Sequence, residues 1–133
     1  MKDVLLGIDK SEDRATELAK TVVDLFEEEA LRVHLLHDFV DNPEGASVTQ
    51  VGAIRRAEEI LEENGVEIKL HEGSGHPADS IIDTAERLDV AAICVAGRKR
   101  SATGKLLFGS VSQEVILGTE RPVLVCSSGG HEE

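Results

Sequence analysis

A chain of 133 residues holds one domain with a real core and is too short for two ordinary ones. Hydrophobic residues make up 41% and charged residues 30%, and no apolar stretch approaches the roughly 18 residues of a membrane helix, so a soluble globular protein is expected. A formal charge of −12 argues against nucleic acid and anionic membrane as partners, because polyanions repel such a surface.

The amino terminus, Met1-Lys2-Asp3-Val4-Leu5-Leu6-Gly7, lacks the long apolar region and small-residue cleavage site of a secretion signal, which predicts a cytoplasmic protein. Val4 to Ile8 is a continuous apolar run, as a strand buried on both faces requires. Asp9 or Ser11 then caps a helix whose first turn carries Glu12 and Asp13, favourable against the helix dipole. Ala15, Leu18, Ala19, Val22, Val23 and Phe26 follow at helical spacing. Arg32 to His37 is a second strand, and Asp38 to Ser47 a polar loop with Asn42-Pro43 and Gly45. A second helix places Val51, Ile54, Ala57, Ile60 and Leu61 on one face and stops at Asn64-Gly65.

Val66 to His71 alternates like a strand, with apolar content thin enough for an edge. Glu72 to His76 is a turn, and Pro77 suits the first position of a third helix that buries Ile81, Ile82, Ala85 and Leu88. Ala91 to Ala96 is a fourth, fully buried strand. A short helix runs from Ser110 to about Leu117, and Pro122 precedes the fifth strand, Val123 to Cys126. Residues 1–127 thus form a single domain, and 128–133 a loose acidic tail. Strands separated by helices imply parallel pairing, hence an open α/β sheet with ligands bound beyond the carboxyl ends of the strands. Asp9, Asp38 and Gly97 all stand at those ends.

Between the fourth strand and the last helix lies Gly97-Arg-Lys-Arg-Ser-Ala-Thr-Gly-Lys-Leu-Leu-Phe-Gly109-Ser110. Four of the eight residues from Arg98 to Lys105 are basic, in a chain with 14 basic residues altogether. Strand, then glycine- and base-rich loop, then helix start is a way of holding phosphate on backbone N–H groups. A solvated loop is the bland alternative. Cys94 and Cys126 lie in apolar runs and read as buried, reduced thiols. His34 and His37 differ by an odd number on one strand, so they face opposite ways and cannot share a metal from it. His71 and His76 straddle a turn with no clear third ligand. No Gly-x-Ser-x-Gly elbow and no Walker Gly-x4-Gly-Lys-Ser/Thr is present, so no dedicated ATPase is expected, and at most slow nucleotide hydrolysis.

Several segments together resemble the universal stress proteins. They are Val4-Leu5-Leu6-Gly7-Ile8-Asp9-Lys10-Ser11, Val33-His34-Leu35-Leu36-His37, Gly75-His76-Pro77-Ala78, Ile93-Cys94-Val95-Ala96-Gly97-Arg98, Leu106-Leu107-Phe108-Gly109-Ser110-Val111-Ser112 and Pro122-Val123-Leu124-Val125. The resemblance implies a Rossmann-like, open five-stranded parallel sheet of order 3-2-1-4-5 with helices on both faces, and a homodimer through the last strand. It implies a stress-response protein that binds ATP or AMP, with Mg²⁺ beside a triphosphate, and that signals to an unknown regulatory partner. One branch of the family binds ATP through Gly-x2-Gly-x9-Gly-Ser/Thr. Here Gly97 and Gly109-Ser110 match its ends, Arg100 replaces the middle glycine, and eight residues rather than nine separate Arg100 from Gly109.

Carried over by position, Asp9 would accept from a ribose hydroxyl and the backbone of Asp38 would read the adenine edge. Gly97, Arg98, Gly109 and Ser110 would wrap the phosphates, with Arg100 as a further phosphate donor and Ser112 close by. Each has a plainer alternative: Asp9 as the cap of the first helix, Gly109-Ser110 as a turn and cap, Arg100 closing the loop on itself. The competing function is an interaction module that binds no nucleotide and acts through dimerisation and partner binding.

Overall fold

The structure is a computed structural model and describes residues 2–26, 30–38, 51–73, 75–97 and 109–126. Within them strands and helices alternate: β1 (Lys2–Gly7), α1 (Glu12–Leu25), β2 (Leu31–Asp38), α2 (Gly52–Glu63), β3 (Glu67–Gly73), α3 (Pro77–Leu88), β4 (Ala92–Ala96), α4 (Ser110–Gly118) and β5 (Val123–Cys126). All strand pairs are parallel and the sheet order is β3-β2-β1-β4-β5. The Rossmann-like arrangement expected from the sequence is therefore the arrangement found. Its order reverses at β1, between β2 and β4, the place where loops on the two sides diverge and leave a crevice.

The central strands are apolar on both faces because both faces are covered. Val4, Leu6, Val33, Leu35 and Cys94 pack against α1 and α2 through Ala15, Leu18, Val22, Ile54, Ala57 and Leu61. Leu5, Leu36, Ile93 and Val95 pack against α3 and α4 through Ala78, Ile81, Ala85 and Val115. Each fully buried Leu, Ile or Val contributes about 1.5–3 kcal/mol of transfer free energy, which is what holds the helices to the sheet. Cys94 and Cys126 are both buried and free, and burial pushes the Cys94 thiol well above its ordinary pKa. They behave as small apolar side chains.

Differences from the sequence reading are local. Ser11 rather than Asp9 is the α1 N-cap, its Oγ accepting the Arg14 N–H at 3.2 Å. Val51 is the α2 N-cap and not a helical residue. β3 runs on to Gly73 because its ladder with β2 continues through His37–Glu72 and Asp38–Gly73. Ile82 and Leu88 are half-buried, whereas Thr84 takes a buried place on α3. α2 stops as expected: the Asn64 amide donates to the Ile60 carbonyl, and Gly65 follows at φ +72, where a Cβ would be strained.

Candidate functional site

A cavity of about 300 Å³ opens at the carboxyl ends of β1, β2 and β4, where the strand order reverses. Its floor is Gly7, Ile8, Leu36 and His37, its sides are Asp9, Lys10 and Arg14 on one edge and Asp38, Pro77 and Ile81 on another, and Val95, Ala96, Gly109, Val111 and Ser112 close it. The size suits one small organic ligand.

Backbone bonds set the floor. The Ile8 N–H donates to the Leu36 carbonyl at 2.9 Å, and the buried His37 Nδ1–H donates to the Ile8 carbonyl at 2.7 Å. A carbonyl only accepts, so this bond fixes the tautomer of His37 and joins the ends of β1 and β2. Gly7 supplies no Cβ, and one there would come within 2.8 Å of Ile81 Cδ1. The glycine thus lets α3 approach the end of β1.

Asp9 lines the cavity while bracing α1. Its Oδ1 accepts the Ser11 N–H at 2.9 Å, and its Oδ2 accepts Arg14 Nε–H at 2.8 Å. The capping role left open for Asp9 falls to Ser11; Asp9 instead ties Ser11 and Arg14 together, and half of its side chain stays exposed toward solvent. Asp38, the last residue of β2, lies across the cavity. Its Oδ2 accepts the Ser80 hydroxyl at 2.5 Å, while its Oδ1 is buried and has no hydrogen-bond partner among the described residues.

The far wall is the start of α4. Gly109 is the N-cap at φ −76 and ψ 166, and no side chain among the described residues caps the helix there. The first N–H groups of a helix lack intrahelical partners and carry partial positive charge, so this wall is suited to an anion. Ser112 does not contribute its hydroxyl to that wall: Ser112 Oγ–H donates to the Ala96 carbonyl at 2.9 Å and ties α4 to the end of β4. The Gly97 N–H is likewise spent, on the Cys126 carbonyl at 2.7 Å.

Of the residues singled out in the sequence, Asp9, Asp38, Gly109 and Ser112 line one cavity, and exposed Ser110 begins the adjoining helix beside it. Gly97 is buried behind the wall. Arg98 and Arg100 lie outside the described residues, as do the rest of the basic segment to Phe108 and the acidic tail. Sequence reasoning missed Arg14, one turn into α1, and Ser80 on α3. Both are polar residues on helices, and only the tertiary placement of those helices brings them here. Lys10, inside a quoted motif but given no role, adds a second positive charge to the Asp9 edge.

Among the described residues no three His, Cys, Asp or Glu side chains gather as metal ligands. His71 turns to His34, whose Nδ1 lies 2.9 Å from His71 Nε2, and His76 turns to Glu114 at 2.5 Å. The Glu114 carboxylate raises the His76 pKa and links the start of α3 to α4.

Comparison with known proteins agrees with this fold. The fold superposes on the structure of a universal stress protein from Archaeoglobus fulgidus with a TM-score of 0.79 and 28% identity, covering 95% of this chain and 98% of that one. A universal stress protein from Archaeoglobus fulgidus solved in complex with dAMP superposes with a TM-score of 0.72 at 23% identity, over 95% of this chain and 98% of that one. Among curated proteins, the stress response protein NhaX of Bacillus subtilis is 33% identical over 72 residues, 54% of this chain. That match spans 43% of the relative's length. The universal stress protein family model matches residues 1–127, and the chain belongs to that family.

Proposed function

We propose that this protein binds an adenine nucleotide, ATP or AMP, and uses the bound state as a regulatory signal in a stress response. One observation carries the reading: the cavity at the reversal of strand order opens onto a helix start that no side chain among the described residues caps. Phosphate at that helix start would take the N–H groups from Ser110 onward, with the Ser110 hydroxyl beside them. Arg98 and Arg100 are the sequence candidates for the remaining phosphate charge. The ribose would face the exposed side of Asp9, and the base would lie over Ile8 and Leu36 beside the Asp38 backbone. The dAMP complex of the Archaeoglobus protein supports this choice of ligand class. Mg²⁺ would accompany ATP on the phosphates. A homodimer through β5, whose Val123, Leu124 and Val125 are only half-buried at the sheet edge, is part of the same reading. A partner protein in the cytoplasm would read the nucleotide-bound state.

Acid extraction of freshly purified protein, followed by chromatography, should release adenine nucleotide. Gly109→Val is the matching variant. The Gly109 backbone lies in the extended region open to any residue, so the fold should persist within a few degrees of Tm. A branched side chain at the helix start should crowd the phosphates and reduce affinity at least tenfold, about 1.4 kcal/mol. Wild-type protein that carries no nucleotide and binds none at millimolar concentration contradicts the reading and favours the interaction module.

A further inference from the structure

Away from the cavity, three titratable side chains stand in a row across three strands. Asp3 Oδ1 on β1 lies 2.9 Å from His34 Nε2 on β2, and His34 Nδ1 lies 2.9 Å from His71 Nε2 on β3. The row therefore runs from the central strand out to the edge strand, with His34 buried and His71 half-buried. The two ring centroids are 5.1 Å apart, close to the most that a 2.9 Å nitrogen contact permits, so the imidazoles meet end on. Nitrogens that face each other in line suit a shared proton, because a hydrogen bond prefers a straight donor–hydrogen–acceptor path. Chelation of a metal would instead need lone pairs that converge on a third point.

Valence fixes where the hydrogens are. Hydrogen bonds from Arg32 and then His34 hold the Asp3 carboxyl down at about 2, so it is ionised and only accepts. His34 Nε2 therefore carries a hydrogen. In neutral His34 the other nitrogen, Nδ1, is bare and accepts from His71 Nε2–H. One added proton fits the row: on His71 Nδ1 it leaves both hydrogen bonds as they were. Passed inward, with the His71 Nε2 hydrogen moving to His34 Nδ1, it makes His34 an imidazolium between the Asp3 carboxylate and a bare His71 nitrogen. A second added proton does not fit, since it puts N–H groups on both facing nitrogens, 2.9 Å apart with no acceptor between them.

We infer that Asp3, His34 and His71 form a site for a single proton, and that a second proton parts His71 from His34 and releases β3 from the sheet edge. The surrounding charges enforce that limit. Arg32 on β2 and Arg87 on α3 add positive charge near the pair, and Lys69 lies on the same face of β3 as His71. Of the carboxylates, Asp3 on β1 is shared with Arg32, and Glu67 on β3 is turned to Arg32 at 3.4 Å. A doubly protonated pair thus gains no carboxylate beyond Asp3. β3 is the strand that yields because it pairs only with β2 and has no residue in the fully buried class. The inference stands apart from nucleotide binding, which it does not need.

The test is NMR of the imidazole ring nitrogens together with amide hydrogen exchange, on the full chain from pH 8 to pH 4, as wild type, His71→Gln and Asp3→Asn. At pH 8 wild-type His34 should carry its hydrogen on Nε2. On acidification the two rings should change together over one midpoint, by one proton in total, as coupled groups do. The next proton should lower the protection of β3 amides at least about tenfold while β1 and β4 stay protected. His71→Gln should leave His34 to titrate alone and should keep β3 protected in acid. Asp3→Asn should move the shared midpoint down by about one pH unit, the least effect expected of a carboxylate in contact. His71→Gln alters only the outer end of the row, so it keeps the test decisive should Asp3→Asn fail to fold. His34 with its hydrogen on Nδ1 alone at pH 8 overturns the inference. So does a full proton on each ring with β3 still protected, or an acid loss of β3 protection that is the same in His71→Gln.

Discussion

The two ends of the sheet treat their carboxylates in opposite ways. At the amino end, Asp3 Oδ1 accepts from Arg32 Nε–H at 2.6 Å and meets His34 Nε2 at 2.9 Å, while Arg32 reaches on to Glu67 and His34 to His71. Hydrogen bonds from Arg32 and then His34 hold the Asp3 carboxyl down at about 2. At the carboxyl end, among the described residues, Asp38 keeps one oxygen without a partner and α4 starts without a side-chain cap. The amino end thus holds its Asp3 carboxylate in a network of ion pairs, although Arg121 Nε near the starts of β4 and β5 is buried without a partner among the described residues. On the function proposed above, the amino end serves stability and the carboxyl end recognition.

Breaking the amino end should produce the largest stability effect. Asp3→Leu leaves His34 buried beside His71 without its carboxylate, and should destabilise by about 2 kcal/mol while AMP affinity stays within twofold. Urea unfolding paired with dialysis checks both halves, and a loss of AMP binding without a loss of stability would reverse the assignment of the two ends.

Acid should reveal the same asymmetry in two steps. Burial, and then the neighbouring His34, lower the His71 pKa below 6.5, so the unfolded chain takes that proton first. Stability should therefore begin to fall as pH drops below 6.5. The Asp3 carboxyl, at about 2 when folded, contributes fully above its unfolded value near 4 and loses its contribution as pH falls from there toward 2. That second step is worth about 1 kcal/mol after solvent screening. Thermal melts from pH 7 to 3 should show both, with the upper step missing in His71→Gln and the lower in Asp3→Asn. His76 has the opposite sign: raised by Glu114, its contribution is present below 6.5 and fades as pH rises through the folded value.

The smallest effect belongs to the cavity edge. Arg14→Ala removes an ion pair with Asp9 that is half-exposed on the carboxylate side, and should cost about 0.5 kcal/mol. Freed from Arg14, Asp9 should alter affinity for AMP more than for its 2′,3′-dideoxy analogue, which dialysis of the two would show.

Most of the architecture was legible because the strands are short apolar runs and the helices carry clear stripes, as in Val4 to Ile8 or Ile54 to Leu61. The strand order came from resemblance and not from pattern, since pairing between distant strands leaves no local trace. For the same reason the extension of β3 to Gly73 was missed. The sequence did separate His34 from His37, and the structure turns them to His71 and to Ile8 respectively. It could not show that His34 meets His71, because the register that pairs Leu36 with His71 belongs to two strands. At the site, Asp9, Asp38 and Gly109 were visible as strand-end or helix-start residues, whereas Ser80 was not. A serine near the start of a helix has no signal that distinguishes a clamp from a solvated hydroxyl.

The difference between the two ends is tested most directly by backbone amide NMR during titration with AMP. The protein should show saturable shifts concentrated at Ile8 and Asp9, His37 and Asp38, and Gly109 to Ser112, with Asp3, His34 and Lys69 to His71 unmoved. Shifts that cluster at the amino end, or a spectrum unchanged at millimolar AMP, would contradict it.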